Sequence, residues 1–294
     1  MTILESILLG FVQGATEFLP VSSSGHLAIF KYIFGITEAG ISFDILLHVG
    51  TLIAVFAVYY KDIFELVVAL VNMIASVVRN IGRFFKNSFG KSARKEEYEP
   101  VVDSMLKRWM LLMIVSIIPV GVLGFILEDW IESISEGLLI PGICLLITGV
   151  VLLIADTIPA GNKTARTTSY KDALIIGCAQ ACAMFPGISR SGSTISAAML
   201  VGQKKQFAVK YSFIMSIPII LGAALKSLMD VVKGETVTEG VNFGVCIVGL
   251  VVAAVVGYAA IKLLLRVVKN NKFKYFAFYC FAVGLFAVIG SFCI

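Results

Sequence analysis

Long apolar runs constrain this chain more than any other feature. Stretches at about 43–60, 105–127, 138–157, 211–229, 241–265 and 275–294 carry few charged residues. Each is long enough to cross the roughly 30 Å of bilayer hydrocarbon, which takes about 20 apolar residues in a helix. The whole chain has 59% hydrophobic and 15% charged residues, with a mean hydropathy of +0.95. Soluble domains carry about 25% charged residues. The runs therefore predict an all-α polytopic membrane protein with about six transmembrane helices, in one integral domain over 1–294. Residues 62–87 begin apolar and end in Arg79, Arg83 and Lys86, a pattern expected of an interfacial or partly submerged helix. Residues 88–100 form a hydrophilic linker, expected to be solvated.

The start, Met1-Thr2-Ile3-Leu4-Glu5, lacks the basic region of a cleaved signal peptide. The six cysteines lie in apolar stretches without clustered partners, so they read as buried free thiols rather than metal ligands. The net charge of +5 comes from basic residues flanking the runs. That pattern speaks for topology and against nucleic-acid binding. Lys and Arg are retained on the cytoplasmic side. The cytoplasmic linker at about 79–104, with Lys107 and Arg108 just beyond it, is placed inside. Lys163, Arg166 and Lys171, then Lys204, Lys205 and Lys210, then the basic residues at 262–274, are placed there too. The acidic 128–136 loop, residues 230–240 and the C-terminus fall outside.

Residues 163–171 and 203–210 are thus both inside, so the chain between them must enter the membrane and return. It contains Phe185-Pro186-Gly187-Ile188-Ser189-Arg190-Ser191-Gly192, which breaks a helix and puts polar groups at its tip. Irregular backbone at that depth must line a wet cavity or be buried in protein. A second such segment lies at Gln13 to His26. An ungapped offset of 167 positions aligns the two on the pattern Q-x4-F-x2-[VI]-S-x-S-G. Each copy is followed by three spans, and the loop charges give the halves opposite orientations. Two re-entrant helical hairpins in an inverted repeat follow, with halves at about 1–157 and 158–294. This is a transporter-like pattern that puts a site near the midplane.

The tips supply Gln13, Glu17, Ser22, Ser23, Ser24, Gly25 and His26 from the first copy and Ser189, Arg190, Ser191 and Gly192 from the second. Ionisable groups at that depth mark function by default. The competing interpretations are a Glu17–Arg190 pair that only locks the halves together, and His26 as a satisfied core histidine. Asp44 and His48, on the following span, read either as polar glue or as support for the site. Arg190 offers a planar donor fork for phosphate. The S-x-S-G turns offer helix N-termini and hydroxyls to an anion. Two half-cradles suit a diphosphate, and the apolar bundle suits a lipid tail. Gln13 and Glu17 carry oxygens of the kind that Mg²⁺ or Ca²⁺ prefers; Glu17 is also a candidate general base.

The segments Q-G-A-T-E-F-L-P-V-S-S-S-G-H and P-G-I-S-R-S-G, with H-V-G-T-L-I-A-V at 48–55, closely resemble the signatures of bacterial undecaprenyl-diphosphate phosphatases of the bacitracin-resistance type. The resemblance implies hydrolysis of a polyprenyl diphosphate lipid to the monophosphate, on the outer face of the bacterial plasma membrane. That reaction recycles the lipid carrier for cell-wall polymers. It also implies catalytic roles for Glu17, Ser23, His26 and Arg190, a divalent cation, and a possible homodimer among membrane lipids. Gln13 is the less acidic of the residues the family uses there. Ser23, His26 and a metal-bound water all remain candidate nucleophiles. A transporter or flippase of a lipid phosphate is the alternative function, and a membrane scaffold is a third.

Overall fold

The computed structural model describes residues 1–36, 41–89, 95–134, 137–233, 243–269 and 273–293. Glu136, most of 230–240 and part of the hydrophilic linker lie outside these, and the side chains of Glu128, Asp129 and Glu132 do too. Among the described residues there are ten helices. They are α1 (Ile3–Phe18), α2 (Ser23–Phe34), α3 (Ile41–Phe89), α4 (Met105–Ile134), α5 (Leu139–Thr157), α6 (Tyr170–Cys182), α7 (Arg190–Leu200), α8 (Lys205–Lys233), α9 (Phe243–Lys269) and α10 (Phe273–Cys293). Six of them (α3, α4, α5, α8, α9 and α10) are long and apolar enough to cross a membrane. The longest of the other four, α1, has 16 residues. At 1.5 Å per residue it spans about 24 Å, short of a full crossing. These four short helices form the two hairpins, α1–α2 and α6–α7.

The repeat runs further than the tip motif. Thr2 and Glu5 close a capping box at the start of α1, and Ser169 and Asp172 close one at the start of α6. Both pairs obey the same offset, and each satisfies orphan amide donors at a helix start. Gly10 lies against the backbone of Gly249 in α9, and its counterpart Gly177 lies against the backbone of Ser116 in α4. Helix α1 thus packs along α9 as α6 packs along α4. Small residues let such helices approach closely in a membrane.

The direction of entry follows from these contacts. Ser6 donates to the Val245 carbonyl near the start of α9, so α1 and α9 run parallel from one end of the bundle. Arg108 donates to the Thr168 carbonyl, so α4 and α6 start together at another end. Lys210 bonds Asp62 and lies over the rings of Tyr59 and Trp109. The start of α4 therefore sits beside the far end of the first crossing. Gly50 meets Leu250, and Gly257 meets Ala54 and Thr51, so α3 runs parallel to α9 up to that point. The two hairpins accordingly enter from opposite ends and meet tip to tip.

Three sequence expectations are refined. The helix expected at 62–87 is present and follows the first crossing without a loop: α3 is two helices joined across a kink at Tyr59 (φ −118°, ψ 22°), where the backbone leaves helical geometry. The 49 residues of α3 amount to about 74 Å, more than one crossing needs. Of the cysteines, Cys178, Cys182 and Cys293 are exposed on the protein surface, whereas Cys144, Cys246 and Cys280 are buried. In an apolar environment a helix needs no inward face for its small hydrophobes, so an apolar stretch does not predict burial within the protein.

The third change concerns the linker. Residues 95–98 are exposed, as expected of a solvated linker, but the stretch 95–99 also docks along α3. The side chain of Asn80 accepts from the Glu99 amide and donates to its carbonyl, and Asn87 does the same for Glu96. Arg79 and Arg83 pair with the Glu99 carboxylate. Hydrogen bonds from Arg79 and Arg83 hold the Glu99 carboxyl below its ordinary range. A depressed carboxylate stabilises docking above its undocked pKa and loses that contribution as pH falls through the docked value. Amide exchange at Glu96 and Glu99 is therefore expected to accelerate as pH is lowered below the usual carboxylate range, beyond the intrinsic pH trend. Asn80→Ala is expected to accelerate exchange at Glu99 roughly tenfold or more at neutral pH. Unchanged exchange in that variant would contradict the docking.

Candidate active site

The two hairpin tips are built alike. Ser22 caps α2 by accepting from the Gly25 amide, and Ser189 caps α7 by accepting from the Gly192 amide. The Ser22–Ser24 and Ser189–Ser191 hydroxyl pairs are each 3.3 Å apart. The tips also exchange hydrogen bonds. The Gly187 amide donates to Ser24 Oγ, and Ser191 Oγ donates to the Leu19 carbonyl. Thr148 of α5 fixes the second tip by donating to the Gly187 carbonyl and accepting from the Ser189 amide. A side chain at Gly25 would meet the Gly187 backbone at 2.8 Å, so that position is small to let the tips touch. Symmetry fails at Ser22, whose φ of 69° is unusual for a residue with a side chain and marks local strain.

Glu17 is the hub. Its Oε1 accepts from Arg190 Nη2 at 2.5 Å. Its Oε2 accepts from Ser23 Oγ at 2.5 Å and from Gln13 Nε2 at 2.9 Å, and His48 Nε2 stands 3.6 Å from the same oxygen. Ser23 and Arg190 occupy equivalent positions of the repeat, each the first residue of its half-helix. A cavity of about 330 Å³ opens against this cluster. Glu17, Ser22, Ser23, Ser24, Asp44, His48, Ser189 and Arg190 form its polar wall, with Ile45, Met184, Ile188, Ile219, Ile220 and Ala223 among the apolar lining. Arg190 Nη1 is buried and makes no hydrogen bond to a described protein atom. A buried guanidinium donor without a partner costs free energy unless an acceptor arrives.

Not every expected residue reaches the cavity. Gly25, Ser191 and Gly192 shape the contact between the tips rather than its wall. His26 turns away: its Nδ1 bonds the Ser22 carbonyl at 2.7 Å, and its Nε2 bonds the Tyr279 hydroxyl at 2.8 Å. Its ring stacks on Tyr279, and only 2% of the residue is exposed. Asp44 and His48, in contrast, stand on the wall. Their four-residue spacing in an apolar span was the signal, since it puts both on one helix face.

The same geometry tests the cation expectation. Gln13 is fully buried, turns its amide nitrogen to Glu17, and has its Oε1 without a described partner. Both Glu17 oxygens are already accepting. Among the described residues no three His, Cys, Asp or Glu side chains cluster as a metal site. Gln13 and Glu17, so arranged, do not fit a cation chelated between them.

Six apolar crossings wrapped around two facing polar half-helix hairpins define a polytopic membrane protein with an anion-receptive cleft in its interior. The sequence matches that of the bacitracin resistance protein BacA family over residues 6–286, and the chain belongs to that family. Proteins named undecaprenyl-diphosphatase from Methanosphaera stadtmanae, Halothermothrix orenii and Bacteroides fragilis are 39%, 37% and 38% identical to it. Those matches cover 99%, 98% and 98% of this chain and 99%, 98% and 97% of theirs.

Proposed function

We propose that this chain hydrolyses undecaprenyl diphosphate to undecaprenyl phosphate and inorganic phosphate, recycling a lipid carrier for cell-wall polymers. The observation that carries the proposal is the Arg190–Glu17–Ser23 cluster on the wall of a largely apolar cavity. Arg190 and the amides at the starts of α2 and α7 hold the diphosphate, replacing its lost hydration with fixed dipoles. Ser23 Oγ attacks the terminal phosphorus. The Oγ–P bond forms as the bond to the bridging oxygen breaks, and its electron pair leaves on the lipid monophosphate. The hydroxyl proton passes to Glu17 Oε2, which already accepts from Ser23. Water then cleaves the phosphoserine.

The cavity is assigned to the outer face. Asp44 and Ile45 on its wall belong to the start of α3, and Ile219 to Ala223 lie far along α8 from Lys210. Lys163, which pairs with Asp172, belongs with Arg108, Lys210 and the docked linker at the opposite, basic end. Positive residues are retained inside. The inverted repeat would also serve a transporter, but a carboxylate bonded to both a hydroxyl and a guanidinium is a phosphoryl-transfer set.

The test is phosphate release from a polyprenyl diphosphate by purified protein in detergent, with Mg²⁺ and with a chelator. Wild type is expected to turn over, and Ser23→Ala to lose roughly 10³-fold or more, as loss of a nucleophile does. Rapid acid quench is expected to trap phosphate on Ser23. An inert wild type defeats the hydrolase assignment; near-normal turnover by Ser23→Ala defeats only the covalent route.

A further inference from the structure

The chain has two histidines, and the structure separates their roles. A carbonyl oxygen can only accept, so the nitrogen facing one must carry the proton. His26 Nδ1 faces the Ser22 carbonyl, which leaves Nε2 to accept from the Tyr279 hydroxyl. Both nitrogens are thereby engaged, away from the cavity, and the ring ties α2 to α10. His48 Nδ1 faces the Asp44 carbonyl at 2.8 Å. In the neutral imidazole Nε2 is then the nitrogen with the lone pair, and it stands in the cavity with 30% of the side chain exposed.

That lone pair faces Glu17 Oε2 at 3.6 Å. A proton delivered to Oε2 has a second acceptor waiting beyond it, and the gap closes to an ordinary hydrogen bond of about 2.8 Å once it arrives. Ser23 donates to that same oxygen from the other side. Glu17 relays the proton instead of keeping it, since a protonated Glu17 forfeits its ion pair with Arg190 on Oε1. Glu17 from α1 faces His48, Ser23 from α2 and Arg190 from α7 line the same cavity, and Asp44 on its own helix is held by Lys31. From α9, Leu250 and Ala253 approach the same stretch of α3 at Gly50.

We propose that His48, not His26, is the proton-accepting histidine of the reaction, working with Ser23 through Glu17 Oε2. This rests on the hydrolase assignment above. As the Ser23 Oγ–P bond forms and the bridging P–O bond breaks, the serine proton moves through Glu17 to His48 Nε2. When water attacks the phosphoserine, the new O–P bond forms and the P–Oγ bond breaks. One water proton returns to Ser23, the other stays on the phosphate, and the proton on His48 leaves with that phosphate. His26 is a positioning residue that holds the first tip against α10.

The experiment uses the whole wild-type protein in detergent. Diethylpyrocarbonate, which acylates an unprotonated imidazole nitrogen, is expected to modify His48 and spare His26, as read by peptide mass mapping. Phosphate release should fall in step, inorganic diphosphate should protect, and hydroxylamine should restore it. In parallel, His48→Ala is expected to lose about 10²–10⁴-fold in turnover, the range for a general base, with KM within a few-fold. Added imidazole should restore part of that loss but none of the loss in His26→Ala, whose site is closed to solvent. His48→Gln, close in size, guards against a folding defect. With an active wild type, inactivation that tracks modification of His26, imidazole rescue at position 26, or His48→Ala and His48→Gln within threefold of wild type would each overturn the proposal. A wild type that releases no phosphate defeats the hydrolase assignment instead, and the mapping still reports which histidine is open.

Discussion

Replacing Arg190 by alanine is expected to lower kcat/KM for phosphate release by about 10³-fold or more. Arginines that stabilise charge on a phosphoryl group in transfer are worth roughly 10³–10⁵ in rate. Here the guanidinium does two jobs. Nη2 binds Glu17 Oε1, and Nη1 is a buried donor with no described protein acceptor. Losing it removes the phosphate clamp and also leaves the Glu17 carboxylate buried without its cation. Breaking one side of a buried pair costs about 3–5 kcal/mol, so Arg190→Ala should also melt earlier. The two effects are separable. Arg190→Met combined with Glu17→Gln removes both charges and keeps the volumes, so its thermal stability should return to near that of wild type while turnover stays lost. Arg190→Lys keeps the charge but not the planar fork and should remain at least about tenfold impaired. A detergent assay with parallel thermal melts checks all three. Arg190→Ala within tenfold of wild type would remove the arginine from the mechanism.

The second large effect is expected at the glycines where hairpins meet crossings. A Cβ at Gly10 would stand 2.5 Å from the Gly249 carbonyl oxygen, and one at Gly177 would stand 2.3 Å from that of Ser116. The obstacles are backbone atoms of neighbouring helices, so no rotamer change relieves them. Gly10→Leu and Gly177→Leu are each expected to cost on the order of 3 kcal/mol. Each should also reduce phosphate release, because the hairpin carries its tip away as the helix shifts. Gly82 and Gly121 serve as controls: nothing lies within 4 Å of a Cβ built there. Gly→Ala at those helical sites is expected to be neutral or stabilising by about 0.5–1 kcal/mol. Equal melting of Gly177→Leu and Gly121→Ala would mean that the close approach does not support the fold.

Much of this architecture was legible because hydrocarbon imposes strict rules. Apolar length marks crossings, and a proline–glycine break flanked by serines marks the places where the chain turns back. The offset of 167 positions joined the two breaks. The capping boxes at Thr2 and Ser169 and the glycines at 10 and 177 obey that offset too, yet they are too short and too common to be recognised before the tips are superposed. The helix beyond Tyr59 was legible from its apolar start and basic end, but not that it follows the first crossing across a kink instead of a loop. The linker is exposed, as its charges suggest, but nothing in the sequence marked the two asparagines that hold its backbone.

The sequence by itself determined the membrane class, the paired hairpins and the residues that converge at their tips, because side-chain chemistry and spacing suffice for each. Only the tertiary structure decided which of those residues face the cavity. Spacing places His26 and His48 on helices but leaves free how each helix is rotated about its axis. That rotation is set by packing against distant elements. Tyr279 claims His26 from 253 positions away, and α9, packed along the other side of α3, leaves His48 turned toward Glu17.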